Sequence, residues 1–221
     1  MTLTPLLSCP SLWLASGSPR RSALLEQAGY VIAGRARPIE IVDERLLPGE
    51  SAAAAALRLA RAKLTNALAD PALPAGAVLL AADTLVVAPD GRPMGKPSDM
   101  VEAERMLAAL SGQWHGVTTA VTVGNVETHR EEVVNSRLRL SRLSPAEIRA
   151  YVATGEPLDK AGGYGLQGLA GSFVEEIEGD CTAVIGLPLA TARRLLAAFG
   201  IRPAWMDLTR FRQNDNGNQH E

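Results

Sequence analysis

Residues 12–25 read LWLASGSPRRSALL, and the fold turns on how this stretch is parsed. Leu12, Trp13, Leu14 and Ala15 form an apolar run that breaks into Ser16-Gly17-Ser18. Pro19 and two arginines follow, and then Ala23, Leu24 and Leu25 take up helical spacing towards Gly29. The pattern predicts a strand, a tight loop and a helix. Ser18 is the candidate N-cap, and Pro19 suits a first helical position where no N–H is needed. The free N–H groups of such a first turn, the helix dipole and the guanidinium groups of Arg20 and Arg21 can converge on an anion, above all a phosphate. A capped surface helix with two solvated arginines is the plainer alternative.

Around this unit the chain alternates irregularly. Tyr30–Ala33 and Pro38–Val42 read as short extended segments. Ser51–Leu68 is an alanine-rich helix with Ser51 as cap and Leu57, Ala60 and Leu64 along one face. Ala77–Val87 (AVLLAADTLVV) is the most strand-like run, and Pro89-Asp90-Gly91 turns it back on 93–97 as a hairpin. Glu102–Leu110 is an amphipathic helix. His115–Val123 and Glu131–Leu143 form long strands paired across a polar turn. Ser144-Pro145-Ala146-Glu147 carries a capping box and starts a helix ending at Gly155. Ser172–Ile177 and Thr182–Ile185 read as strands, and Pro188–Phe199 as the last helix. The pattern predicts a mixed α/β (α+β) fold with a sheet of mixed direction. Residues 1–11 form a loose lead-in, 12–206 one catalytic unit, and 207–221 a polar, disordered tail.

Composition narrows the function. The formal net charge is −2 over 221 residues, so no general nucleic-acid surface is expected and any anion site is a local cluster. Cys9 and Cys181 stand in unrelated contexts, which suits a reducing cytosol rather than a disulfide or zinc framework. Neither a secretory leader nor a membrane-length apolar run is present, so a cytoplasmic protein is expected. The dinucleotide fingerprint GxGxxG after the first strand and the phosphate loop GxxxxGK[ST] are both missing. The GxSxG elbow is missing too, which argues against a serine hydrolase.

Asp83 is the most informative residue, because burying an unpaired carboxylate inside an apolar strand costs several kcal/mol. It has either an arginine or a set of N–H donors as a structural partner, or a role with a metal ion or a water proton. Thr84 is expected on the opposite face of the strand. Glu44 is a second candidate carboxylate for a metal, or else an ordinary turn acid. Lys63 and Lys96 are candidate phosphate ligands or simply surface lysines. The stretch 156–168, EPLDKAGGYGLQG, has the composition of a loop that wraps a ligand closely or of a tight Ω-loop. Gln167 in it can read a base edge with donor and acceptor together. His115 has no Ser or Cys partner and reads as a packing histidine.

These pieces together resemble the Maf family of nucleoside triphosphate pyrophosphatases. The matching motifs are LASGSPRR (14–21), Asp43-Glu44, RLARAK (58–63), AADTLVV (81–87), GKP (95–97), LSGQWHGVTT (110–119), GEPLDKAGGYGLQG (155–168) and GLPL (186–189). The resemblance implies a Maf/ITPase-like fold, a twisted mixed sheet with flanking helices forming two lobes around a cleft. It also implies a homodimer, dependence on Mg²⁺ or Mn²⁺, and cleavage of a triphosphate between its α- and β-phosphates. The proton acceptor falls on Asp83, with Glu44 as a further metal ligand. The substrate-selecting positions fall on Arg20, Thr84 and Gln167, in the pattern of the branch acting on dTTP and UTP rather than 7-methyl-GTP. Ser16, Arg21, Lys63 and Lys96 are assigned to phosphate, with Arg21 as the clamp. Cys181-Thr182-Ala183 departs from the family's usual tyrosine-X-asparagine before GLP. Two rivals remain: a nucleotide-binding regulator of cell division with little catalysis, and a house-cleaning enzyme for modified nucleotides. On this assignment Arg20, Asp83 and Gln167 must face one cavity.

Overall fold

The computed structural model describes residues 10–36 and 42–206. The predicted segment 38–42 falls almost wholly outside them, as do Cys9 and the polar tail. Thirteen helices and strands are described. In order they are β1 (Ser11–Leu14), α1 (Pro19–Gln27), β2 (Ile32–Arg35), α2 (Ala52–Leu68), β3 (Ala77–Val87), β4 (Pro93–Met94) and α3 (Met100–Leu110). Then come β5 (Trp114–Gly124), β6 (His129–Leu140), α4 (Pro145–Val152), β7 (Val174–Glu178), α5 (Cys181–Ile185) and α6 (Leu189–Ala197).

The strands form a seven-stranded sheet in the order β2-β1-β3-β5-β6-β7, with β4 beside β3. The β2-β1-β3 side is parallel, and from β3 to β7 every pairing is antiparallel. β3 is therefore the strand at which direction changes. Its pleat sends Val78, Leu80 and Ala82 to one face, where they pack with Leu24 and Leu25 of α1 and Leu195 and Leu196 of α6. Leu79, Ala81 and Leu85 point to the other face and meet α2. A third core around Val117, Leu138 and Leu140 is covered by α3 and α4. Cores therefore lie on both faces of the sheet.

One edge of β3 positions everything that follows. β5 pairs with it from Leu79 to Val87. On the other side β1 pairs only as far as Leu80, where the Ala15 N–H closes the ladder onto the Leu80 carbonyl at 2.9 Å. β4 resumes the pairing at Val86 and Val87. Residues 81–85 thus border a break in the sheet, and both faces of β3 reach it.

Several expectations need correction. α2 is capped by Ser51 as predicted, but it buries Leu59 with Ala60 and Leu64 rather than Leu57, since Ala55 and Ala56 set the inward face one step round. The strand near Tyr30 begins at Ile32, after the turn at Gly29. β6 ends at Leu140 rather than Leu143. Thr182–Ile185 is helix, not strand, because Asp180 Oδ1 accepts the N–H groups of Thr182 and Ala183 and winds the chain into α5. Ser18 does occupy the N-cap position of α1, but its side chain makes no capping bond.

Candidate active site

A cavity of about 1230 Å³ opens at the break beside β3. It is bordered by the Ser16–Arg21 turn, by Glu44 and Lys63, by Asp83 and Thr84, by Lys96 and by the loop from Asp159 to Leu166. Arg20, Arg21, Arg35, Arg45, Lys63, Lys96 and Lys160 outnumber the carboxylates Asp43, Glu44, Asp83 and Asp159 in the wall. In a chain of net charge −2 this is the local positive cluster that an anion site requires.

Asp83 is only 7% exposed, and its carboxylate is compensated from α2. Lys63 Nζ lies 2.6 Å from Asp83 Oδ1 and 2.5 Å from Glu44 Oε1. Lys96 Nζ approaches the second oxygen of Glu44 at 3.2 Å. Burial works to raise the Glu44 pKa, but hydrogen bonds and charge from Lys63 and Lys96 outweigh it and hold the carboxyl below its ordinary value. Carboxylates and lysines therefore alternate as Asp83–Lys63–Glu44–Lys96 along one wall. Asp83 thus has a cationic partner and also lines the cavity. Asp83 Oδ2 has no hydrogen-bond partner among the described residues.

On the opposite face of β3, Thr84 enters a directed chain. The Thr119 hydroxyl donates to the Ala183 carbonyl at 2.8 Å, so the Thr84 hydroxyl is the donor in its 2.9 Å bond to Thr119. Arg21 Nη2 donates to Thr84 Oγ1 at 3.3 Å. Arg21 also reaches the Gly186 carbonyl at 2.9 Å through Nε and Ser16 Oγ at 3.1 Å through Nη1. Burial lowers the Arg21 pKa, opposed by the charge of Asp83. Arg21 lines the cavity, and three of its five N–H donors are spent on the protein itself. It bolts α1 to β3 and to the turn after α5. Ser16 gains from this, because Arg21 and the Ser18 N–H (3.2 Å) fill its two acceptor sites and leave its O–H as a donor.

Arg20 carries a different load. Its Nη1 donates to Asp159 Oδ2 at 3.0 Å, across the cavity from α1 to the 3-10 turn Glu156–Asp159. Gln167 departs from expectation: it is exposed and lies one residue beyond Leu166, the last residue of its loop to line the cavity. Arg20 and Asp83 share the cavity, and Gln167 stands at its rim. His115 is a buried packing residue, as read. Its Nδ1 faces the Gln113 carbonyl at 3.4 Å and its Nε2 the Tyr164 hydroxyl at 2.7 Å. Burial lowers its pKa to about 4.

Sequence reasoning passed over three lining residues. Asp159 and Lys160 stand directly before AGGYG, and that charged pair beside three close glycines was the available signal. Arg35 at the end of β2 gave none, because its position depends on a 2.8 Å bond to Ser22 of α1.

Among the described residues no three His, Cys, Asp or Glu side chains converge on a metal site. Asp83 and Glu44 nonetheless present oxygens to one cation, Lys63 Nζ. Two carboxylates completed by phosphate oxygens are a usual donor set for Mg²⁺, so the residues fit a divalent ion that arrives with a nucleotide.

Known proteins place the chain. The family model described as Maf-like protein matches residues 11–199. A dTTP/UTP pyrophosphatase of Anaeromyxobacter dehalogenans is 47% identical over 200 residues, 89% of this chain and 97% of that protein. Those of Bordetella avium (46%, covering 87% and 97%) and Shewanella denitrificans (44%, covering 84% and 94%) are similar over nearly the same span. With this coverage, and with the quoted motifs gathered around one cavity, the chain is a member of the Maf family.

Proposed function

We propose that the chain hydrolyses dTTP and UTP to the nucleoside monophosphate and pyrophosphate. The single observation that carries this reading is the alternation Asp83–Lys63–Glu44–Lys96 beside the uncapped first turn of α1. A triphosphate brings about four negative charges, which Lys63, Lys96, the Ser16 hydroxyl and the α1 terminus can meet. Asp83 Oδ2 accepts a proton from a water aligned with the α-phosphorus. The P–O bond to the β-phosphate breaks opposite the incoming oxygen, and pyrophosphate leaves into the lysine-lined end. Lys63 fixes the Asp83 carboxylate through Oδ1 while that transfer occurs. A Mg²⁺ or Mn²⁺ ion would be held by Asp83 and Glu44 and, when bound, would neutralise phosphate charge. Arg20 and Thr84, with Gln167 at the rim, select the base.

We further infer that the protein acts as a cytoplasmic homodimer on free nucleotides rather than on nucleic acid, with 12–206 as the catalytic unit. No described helix is long and apolar enough to cross a membrane.

The test is a pyrophosphate-release screen over natural and modified triphosphates with Mg²⁺ and Mn²⁺. Release from dTTP and UTP above all others supports the reading. No release from any nucleotide favours a binding regulator, and release confined to modified nucleotides favours a house-cleaning enzyme. In ¹⁸O-water, label is expected in dTMP, and label in pyrophosphate would overturn attack at the α-phosphorus.

A further inference from the structure

We propose that Asp159 is a positioning residue that turns Arg20 from a phosphate ligand into a reader of the base. The proposal rests on the pyrimidine triphosphatase reading above and adds a determinant of its specificity.

Both Asp159 oxygens are committed. Oδ2 takes Arg20 Nη1 at 3.0 Å and Oδ1 takes Lys160 Nζ at 2.6 Å. Lys160 Nζ is itself anchored on the Glu156 carbonyl at 2.6 Å. The Lys160 stem lies across Gly165, where a Cβ would come within 2.7 Å of its Cδ and Cε. The carboxylate that meets Arg20 is thus set by a lysine that has little room to move. Burial acts to raise the Asp159 pKa, but the bonds and charges of Lys160 and Arg20 hold it below its ordinary value, so the group stays ionised at neutral pH.

The chemical consequence follows from charge. An unpaired arginine beside a helix N-terminus is a general phosphate ligand. Held on the carboxylate that it shares with Lys160, Arg20 is less available to phosphate but keeps directional N–H donors. Among the described residues only Nη1 is engaged, and Arg20 lines the cavity. Donors of this kind suit the carbonyl oxygens of uracil and thymine. They meet the exocyclic amine of cytosine donor to donor, and a site built for hydrogen bonding rejects such a mismatch strongly. The Asp83–Lys63 end, on the α2 side of the sheet, is left to the phosphates.

The experiment compares wild type, Asp159→Asn, Asp159→Glu and Arg20→Gln. Each is assayed for kcat/KM on UTP and CTP with Mg²⁺, and for tripolyphosphate binding by calorimetry at two salt concentrations. For Asp159→Asn the UTP-to-CTP ratio is expected to fall at least tenfold, while tripolyphosphate binds at least threefold more tightly and with steeper salt dependence. Arg20→Gln loses the ratio without that gain, and Asp159→Asn adds nothing to the ratio in its background. Asp159→Glu, which moves the charge by one methylene, gives an intermediate ratio with unchanged tripolyphosphate affinity, and it carries the test if Asp159→Asn does not fold. An unchanged ratio in the Asp159 variants, or a lower ratio with weaker tripolyphosphate binding, overturns the proposal. Failure of the wild type to hydrolyse UTP overturns the pyrimidine reading instead, and tripolyphosphate tightening still reports on the charge state of Arg20.

Discussion

Lys63 Nζ sits 2.6 Å from Asp83 Oδ1, joining the middle of α2 to the unpaired edge of β3. The same ammonium holds Glu44 at 2.5 Å, so one cation orders two carboxylates in the cavity wall.

Replacing Asp83 by asparagine keeps the shape of the side chain and removes its proton-accepting charge. Turnover of dTTP is expected to drop by about two orders of magnitude or more, the usual loss with a general base, while nucleotide affinity stays within a few-fold. Stopped pyrophosphate release together with equilibrium binding separates the two. Near-normal turnover removes Asp83 from the mechanism.

Lys63→Met leaves both carboxylates without their shared counter-charge. Because Asp83 is nearly buried, the variant should lose about 1–3 kcal/mol of unfolding free energy. Adding Asp83→Asn should restore part of that loss. Urea denaturation of the single and double variants gives the coupling, and strict additivity would contradict the pairing.

Thr84→Val removes the middle link between Arg21 and Thr119 at nearly constant volume. Arg21 Nη2 loses its acceptor and Thr119 its donor, for a cost of about 1–2 kcal/mol in stability. Thermal unfolding checks this. The same variant should also blur the preference for dTTP and UTP.

His115 gives a pH signature of stability. Its pKa falls from the ordinary 6.5 to about 4 on folding, through burial. The unfolded chain therefore binds the extra proton first as pH drops. This component of stability is complete above about pH 6.5, and it is lost as pH falls towards about 4, amounting to about 3 kcal/mol over the window. His115→Gln should flatten that part of the stability–pH curve, measured by denaturant titration at several pH values. An unchanged curve would mean that another group sets it.

Much of this was readable from residues. Asp83 stood out because an apolar strand has no local partner for a carboxylate, and the β3 limits and the Ser144 capping box follow from short-range rules. What escaped depended on distant chain. Nothing near Arg21 reveals that Gly186 and Thr84 consume its donors, since those partners lie 165 and 63 residues away. Residues 182–185 are short and apolar, so only the capping geometry of Asp180 decides for helix. Gln167 follows its loop out to the rim because Glu156, bonded to the Leu169 N–H at 3.1 Å, holds the turn after it.

The break in the sheet also bears on what a substitution reaches. Asp83 rides on a strand that β5 pairs from Leu79 to Val87, so its position is fixed by backbone. The partner of Arg20 rides on a 3-10 turn closed by its own backbone bonds and by the Lys160 side chain. A substitution in that turn therefore acts on Arg20 while the strand that carries Asp83 keeps its backbone pairing.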